Sequence, residues 1–106
     1  MIEVHENDIR TVEPGEVVEV YDGGRVRVGE KGCAFVRNGG WAIVLDGGYA
    51  WVYKGGRVAV ESGGTAEVTV GGFAVVGNGG KVWVLKGGAV DVWDGGTAIV
   101  AEGCNS

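Results

Sequence analysis

Gly39-Gly40-Trp41-Ala42-Ile43-Val44-Leu45-Asp46-Gly47-Gly48 holds one full unit of a strict repeat. The Gly pair returns every eight residues, at Gly55-Gly56, Gly63-Gly64, Gly71-Gly72, Gly79-Gly80, Gly87-Gly88 and Gly95-Gly96. Between pairs the chain reads x-[Ala/Val]-x-Val-x-x, as in Lys81-Val82-Trp83-Val84-Leu85-Lys86. A unit this short buries no face alone, so the fixed period implies that each unit packs against its neighbours.

With the frame set at residue 1, the chain forms thirteen octads followed by Asn105 and Ser106. Position four is Val in every octad, from Val4 to Val100, and position two is Ala, Val or Ile everywhere except Arg10. These two positions share one side of an extended strand, so their apolar character is the period-two signature of a strand with one buried face. Glycine acts as punctuation: 21 of the 23 glycines fall at positions seven and eight, with no triplet spacing to suggest collagen. Asp22, Asn38, Asp46, Asn78 and Asp94 stand just before Gly pairs. There they are expected to hydrogen-bond to turn backbone while Gly takes a positive φ.

The first two octads carry Asn7-Asp8 and Gly15-Glu16 in place of the pair, together with Arg10, Pro14 and several acids. Residues 1–16 therefore read as a divergent N-terminal cap, with the Arg10 stem lying along the core edge and Pro14-Gly15 making a turn. Residues 97–106 read as the C-terminal end, where Glu102 adds charge to the last edge. The whole of 1–106 is one octapeptide-repeat domain.

Two all-β arrangements fit this pattern. In a β-solenoid, two or three octads make one coil, and each coil stacks in parallel on the one before. In an antiparallel meander or barrel, five-residue strands alternate with three-residue Gly-Gly loops. Ala and Val are too small to fill a wide barrel, so the solenoid is favoured. A flattened coil of two octads brings two Ala/Val faces together, a triangular coil of three octads is its rival, and trimerisation is a third way to complete the core.

Through units such as Ala50-Trp51-Val52-Tyr53-Lys54-Gly55-Gly56, nearly the whole chain resembles octapeptide-repeat β-solenoids. The triple-stranded β-helical needle of tailed-phage cell-puncturing proteins is the best known of these, and Ala-x-Val octapeptide tracts of phage and bacterial proteins are similar too. The needle unit reads Val-x-Gly followed by five variable residues, whereas here the Gly pair stands three residues after the Val. The resemblance implies a structural part of a phage or bacterial surface apparatus and carries no catalytic residue with it.

Fourteen acids against nine bases give a formal charge of -5, and the bases are scattered along the sequence. Both features argue against a nucleic-acid partner. Nothing resembles a membrane span or a signal-peptide apolar core, so the expectation is a cytoplasmic or virion-associated protein with no membrane partner. Cys33 and Cys104 read as free thiols or small fillers, with a bridge between them possible only if they meet in space. His5 is the one histidine, so no zinc site and no base–nucleophile pair is expected, and neither a metal nor a cofactor is implied. The carboxylates at position six are too interrupted for a calcium-binding roll, whose unit is in any case a nonapeptide.

The expectation is a non-enzyme. Large side chains at positions one, three and five point away from the Ala/Val side, and Phe35, Trp41, Tyr49, Trp51, Tyr53, Trp83 and Trp93 form the candidate interface or ligand face. Exposed aromatics of this kind mark contacts with a homo-oligomer or another protein partner. Such a face suits a rigid, self-associating assembly module. The alternative is a module that binds a glycan or a host protein through the same aromatics.

Overall fold

The computed structural model describes residues 2–5, 9–85, 87–93 and 95–100. Thirteen short strands follow one another: β1 (Ile2–Val4), β2 (Ile9–Val12), β3 (Val17–Val20), β4 (Arg25–Val28), β5 (Cys33–Val36), β6 (Trp41–Val44), β7 (Tyr49–Val52), β8 (Arg57–Val60), β9 (Thr65–Val68), β10 (Phe73–Val76), β11 (Lys81–Val84), β12 (Ala89–Val92) and β13 (Thr97–Val100). Odd-numbered strands build a seven-stranded sheet and even-numbered strands a six-stranded one. Each pairing is parallel and joins residues sixteen apart, as in Ala34↔Ala50 and Ala42↔Val58. The fold is thus a two-sided β-solenoid with two octads per coil. Neither the antiparallel meander nor the triangular coil is formed, because both would break the sixteen-residue register.

From Val18 to Val84, positions two and four of the octads point between the sheets and are buried, with Ala and Val as the whole side-chain inventory of that interior. Two small side-chain layers fill the gap, which explains why Ala and Val suffice. Arg10 is the exception at position two. It is half-buried, and its Nη2 donates to Glu16 Oε2 at 3.1 Å, while Glu16 Oε1 accepts the Glu13 N–H at 2.9 Å.

Positions five to eight turn the chain from one sheet to the other. In Glu13-Pro14-Gly15-Glu16 the Glu16 N–H donates to the Glu13 carbonyl at 2.9 Å and Gly15 has φ +84°. Pro followed by a positive-φ Gly at the two central positions makes this a type II turn. At the other described residues of position seven, Gly takes φ from 80° to 85°, except at Lys31, which takes φ 63°.

Position eight is glycine for a different reason. A Cβ on Gly56 would stand 2.7 Å from the Val36 carbonyl oxygen and 2.9 Å from Val36 Cγ1, one coil back. The missing side chain makes room for the coil below it.

The backbone is fully engaged at these corners. The position-five N–H reaches back to the position-four carbonyl of the previous coil (Arg37 to Val20, 2.8 Å), and the position-one N–H to the position-eight carbonyl (Trp41 to Gly24, 3.1 Å). The position-seven N–H points the other way, to the next coil (Gly23 to Gly39, 3.1 Å; Gly39 to Gly55, 2.9 Å). Ladders therefore run up both edges as well as both faces, leaving few backbone groups without partners.

Sequence reading expected Asp and Asn at position six to bond to turn backbone. Asp22, Asn38, Asp46 and Asn78 make no such hydrogen bond among the described residues; instead each Oδ1 lies where the position-seven Gly of the next coil would carry its Cβ.

The two glycine roles are separable by substitution. Gly29→Ala, at position five with open space around it, is expected to shift stability by no more than about 0.5 kcal/mol. Gly15→Ala, with positive φ but no neighbour within 4 Å, should cost about 1 kcal/mol or somewhat more. Gly56→Ala must push a coil apart and should cost the most, about 2 kcal/mol or more. Urea unfolding midpoints of the three variants check the order.

Candidate functional site

Because two octads make a coil, outward side chains sort onto opposite sides according to whether their octad is odd or even. Phe35, Tyr49, Trp51 and Trp83 project from the seven-stranded sheet, with Tyr53 on the turn after β7. Trp41 projects from the six-stranded sheet, and Trp93 follows β12 on that side. The seven aromatics grouped as one face by sequence are therefore divided five and two.

On the seven-stranded side, parallel register turns sequence neighbours sixteen apart into stacked neighbours. Phe35 and Trp51 are direct partners, and their rings stack at 4.8 Å with an interplanar angle of 14°. That spacing matches the strand separation itself. Tyr49 leans on Trp51 at 4.5 Å, and Tyr53 lies 6.2 Å from Phe35. Trp83 stands two coils further along, 40 % exposed.

A polar strap runs beside this cluster. Glu19 accepts from the Tyr21 hydroxyl and from Arg37 Nη2, each at 2.7 Å, and the Arg37 guanidinium carbon sits 4.6 Å above the centre of the Tyr53 ring. His5 stacks on Tyr21 at 4.7 Å. The Tyr21 hydroxyl, then Arg37, hold the Glu19 carboxyl below its ordinary range, and the same hydrogen bond to Glu19 raises the Tyr21 phenol. Desolvation, with a smaller contribution from Glu67, raises the Tyr49 phenol. Cys33 is half-buried at the start of β5, opposite Val17 and Tyr49, while Cys104 lies outside the described residues. No group of three or more His, Cys, Asp or Glu side chains that could hold a metal occurs among the described residues.

The six-stranded side has a different character. Arg25, Trp41 and Arg57 are successive register partners across three coils, and Arg27 lies beside them on β4. The bases look scattered in sequence, yet these three arginines gather around one tryptophan. The signal was present in the numbering, as spacings of sixteen, but an eight-residue frame hides it. A groove of about 400 Å³ runs along this corner, floored by Gly23, Gly24, Gly39, Gly40 and Gly55 and walled by Arg25, Trp41 and Arg57.

No protein-family model and no curated protein matches the sequence. Among solved structures, 96% of the chain aligns with 81% of the TibC-catalyzed hyper-glycosylated TibA55-350 fragment at 15% identity and a TM-score of 0.22. A score that low carries no argument about this chain. No helix among the described residues is long and apolar enough to cross a membrane.

The lowered carboxyls have a consequence for acid stability. Glu19 and Glu16 bind protons less readily in the folded chain than at their ordinary value of 4.5. Their stabilisation is present above that value and is lost as pH falls below it through the folded values. Thermal midpoints measured between pH 7 and about pH 3 should therefore drop on the acid side. Glu19→Gln should start lower at neutral pH and lose less on acidification.

Proposed function

We propose that this protein is a non-enzymatic structural module, a rigid β-solenoid that associates with itself through the aromatic side of its seven-stranded sheet. The observation that carries the reading is the contiguous Phe35, Trp51, Tyr49 and Tyr53 cluster, set on a sheet whose strands share one register. Half-exposed rings stacked at strand spacing present a broad apolar surface, and large aromatics of this kind dominate the energetics of protein interfaces. Trp83 stands in the same row toward the C-terminal coils, separated from Trp51 by Glu67.

Association of two copies through this side would be isologous and would close as a dimer, leaving the six-stranded sides outward. The module would then act as a spacer or assembly part, and the resemblance to octapeptide needles supports a place in a phage or bacterial surface apparatus.

Solution mass by light scattering tests this reading. The parent is expected to be a dimer, and the Trp51→Ser/Trp83→Ser variant, altered only on the outward side, is expected to be a folded monomer. A monomeric parent, or a variant that keeps the parent's mass, would overturn it.

A further inference from the structure

We infer that the groove between Arg25 and Arg57 on the six-stranded side is a binding site for a carboxylated oligosaccharide, a chain of sugar rings bearing uronic-acid groups. The site is separate from the aromatic surface proposed for self-association and does not depend on it.

Charge is the first observation. At the outward strand positions one and three of the six-stranded sheet, the charged residues are Arg25, Arg27, Arg57 and Asp91. Asp91 stands two coils beyond Arg57, on β12. None of the three arginines has an ion pair among the described residues, in contrast to Arg10 and Arg37. Three exposed guanidiniums gathered together, with no ion pair among the described residues, present a local field for an anion. At position six the turns along one edge of this sheet carry Asp22 and Lys54, and those along the other edge carry Glu30 and Asp46, so the positive field is confined to the arginines themselves.

Geometry narrows the anion. Arg25 and Arg57 are two strand spacings apart, about 10 Å, with the half-buried Trp41 on the rung between them. A planar apolar ring flanked by two forked donors fits a ligand that alternates an apolar ring face with carboxylates, and guanidinium pairs with carboxylate in a bidentate manner. A second hollow of about 230 Å³ is lined in part by Arg25, Arg27, Trp41 and Ile43, so Arg25 and Trp41 line both hollows.

The floor excludes a peptide strand. The Gly23 and Gly39 N–H groups donate to the next coil, those of Gly24 and Gly40 close their own turns, and the Gly24 and Gly40 carbonyls accept from Trp41 and Arg57. An incoming β-strand would find no backbone partners there. Glycine contributes no side chain, so the groove stays open to a bulky ring. Nucleic acid is the poorer fit, because its affinity comes from a longer run of phosphate contacts than three arginines around one tryptophan supply.

Calorimetric titration of the full chain with oligogalacturonate tests the site, with a neutral cello-oligosaccharide, oligo-dT and polyglutamate as comparison ligands. The expected result is binding of oligogalacturonate that weakens with added salt and exceeds binding of the other three. Arg25→Gln and Arg57→Gln should each weaken it by about tenfold or more, and Trp41→Ala should do the same. Lys81→Gln, which removes an exposed cation from the opposite side, should leave it unchanged. Circular dichroism confirms that each variant is folded. Absence of oligogalacturonate binding, retention of parental affinity in the arginine variants, or tighter binding of oligo-dT or polyglutamate would overturn the assignment. So would an oligomeric parent that the arginine variants convert to monomer, since that would make the groove an interface between copies.

Discussion

The whole architecture depends on one steric condition, that each coil must sit one strand spacing above the last. The parallel ladders require a separation of about 4.8 Å, and at the corners this brings the position-eight residue onto the carbonyl of the Val one coil back. A Cβ at Gly40 would lie 2.7 Å from the Val20 oxygen, and one at Gly64 2.8 Å from the Val44 oxygen. Glycine at position eight is what lets the ladders close, and glycine at position seven lets the chain make the turn. The two requirements fall on adjacent residues, which is why the pair is so regular while the outward residues vary. Where the pair is broken at Lys31-Gly32, the position-eight Gly is the one retained.

The same spacing governs the surface. A solenoid that stacks coils in register turns any residue at positions one, three or five into a member of a ladder along the long axis. Aromatics become stacks, as with Phe35 on Trp51, and charged residues become rows, as with Arg25 and Arg57 either side of Trp41. The interior asks only for small apolar groups, so outward rows can change without disturbing the core. Function in such a fold belongs to the rows and not to the scaffold.

This division also explains how much could be read from the residues. The invariant Val at position four and the Ala/Val at position two announced strands with one buried side, and their small volume favoured a solenoid over a barrel, but left two and three octads per coil both open. The aromatic residues were legible as outward, but not as divided between two sides. An eight-residue frame places Trp41 beside Tyr49, whereas the coil puts them on opposite sheets. The arginine row was missed for the same reason. Propensity assigns the position-six Asp and Asn residues a hydrogen-bonding role, but Asp22, Asn38, Asp46 and Asn78 pack beneath the next glycine instead, and Asp94 lies outside the described residues. Propensity alone could not anticipate a neighbour that arrives seventeen residues later.

Net charge is a poor guide to binding in a body of this shape. The seven-stranded side carries Glu3, Glu19 and Glu67 against Lys81 at outward strand positions, while the six-stranded side carries the three arginines against Asp91. The molecule measures 37 × 24 × 19 Å, so even its thinnest dimension exceeds the screening length of about 8 Å at physiological salt. A ligand approaching one sheet responds mainly to the charges on that sheet. The acidic total therefore belongs largely to one side and to the turns, and it leaves the other side free to attract an anion. Two chemically distinct sides follow directly from alternating octads, since each octad contributes to one sheet only. A single chain can then associate through one side while the other remains available to a ligand.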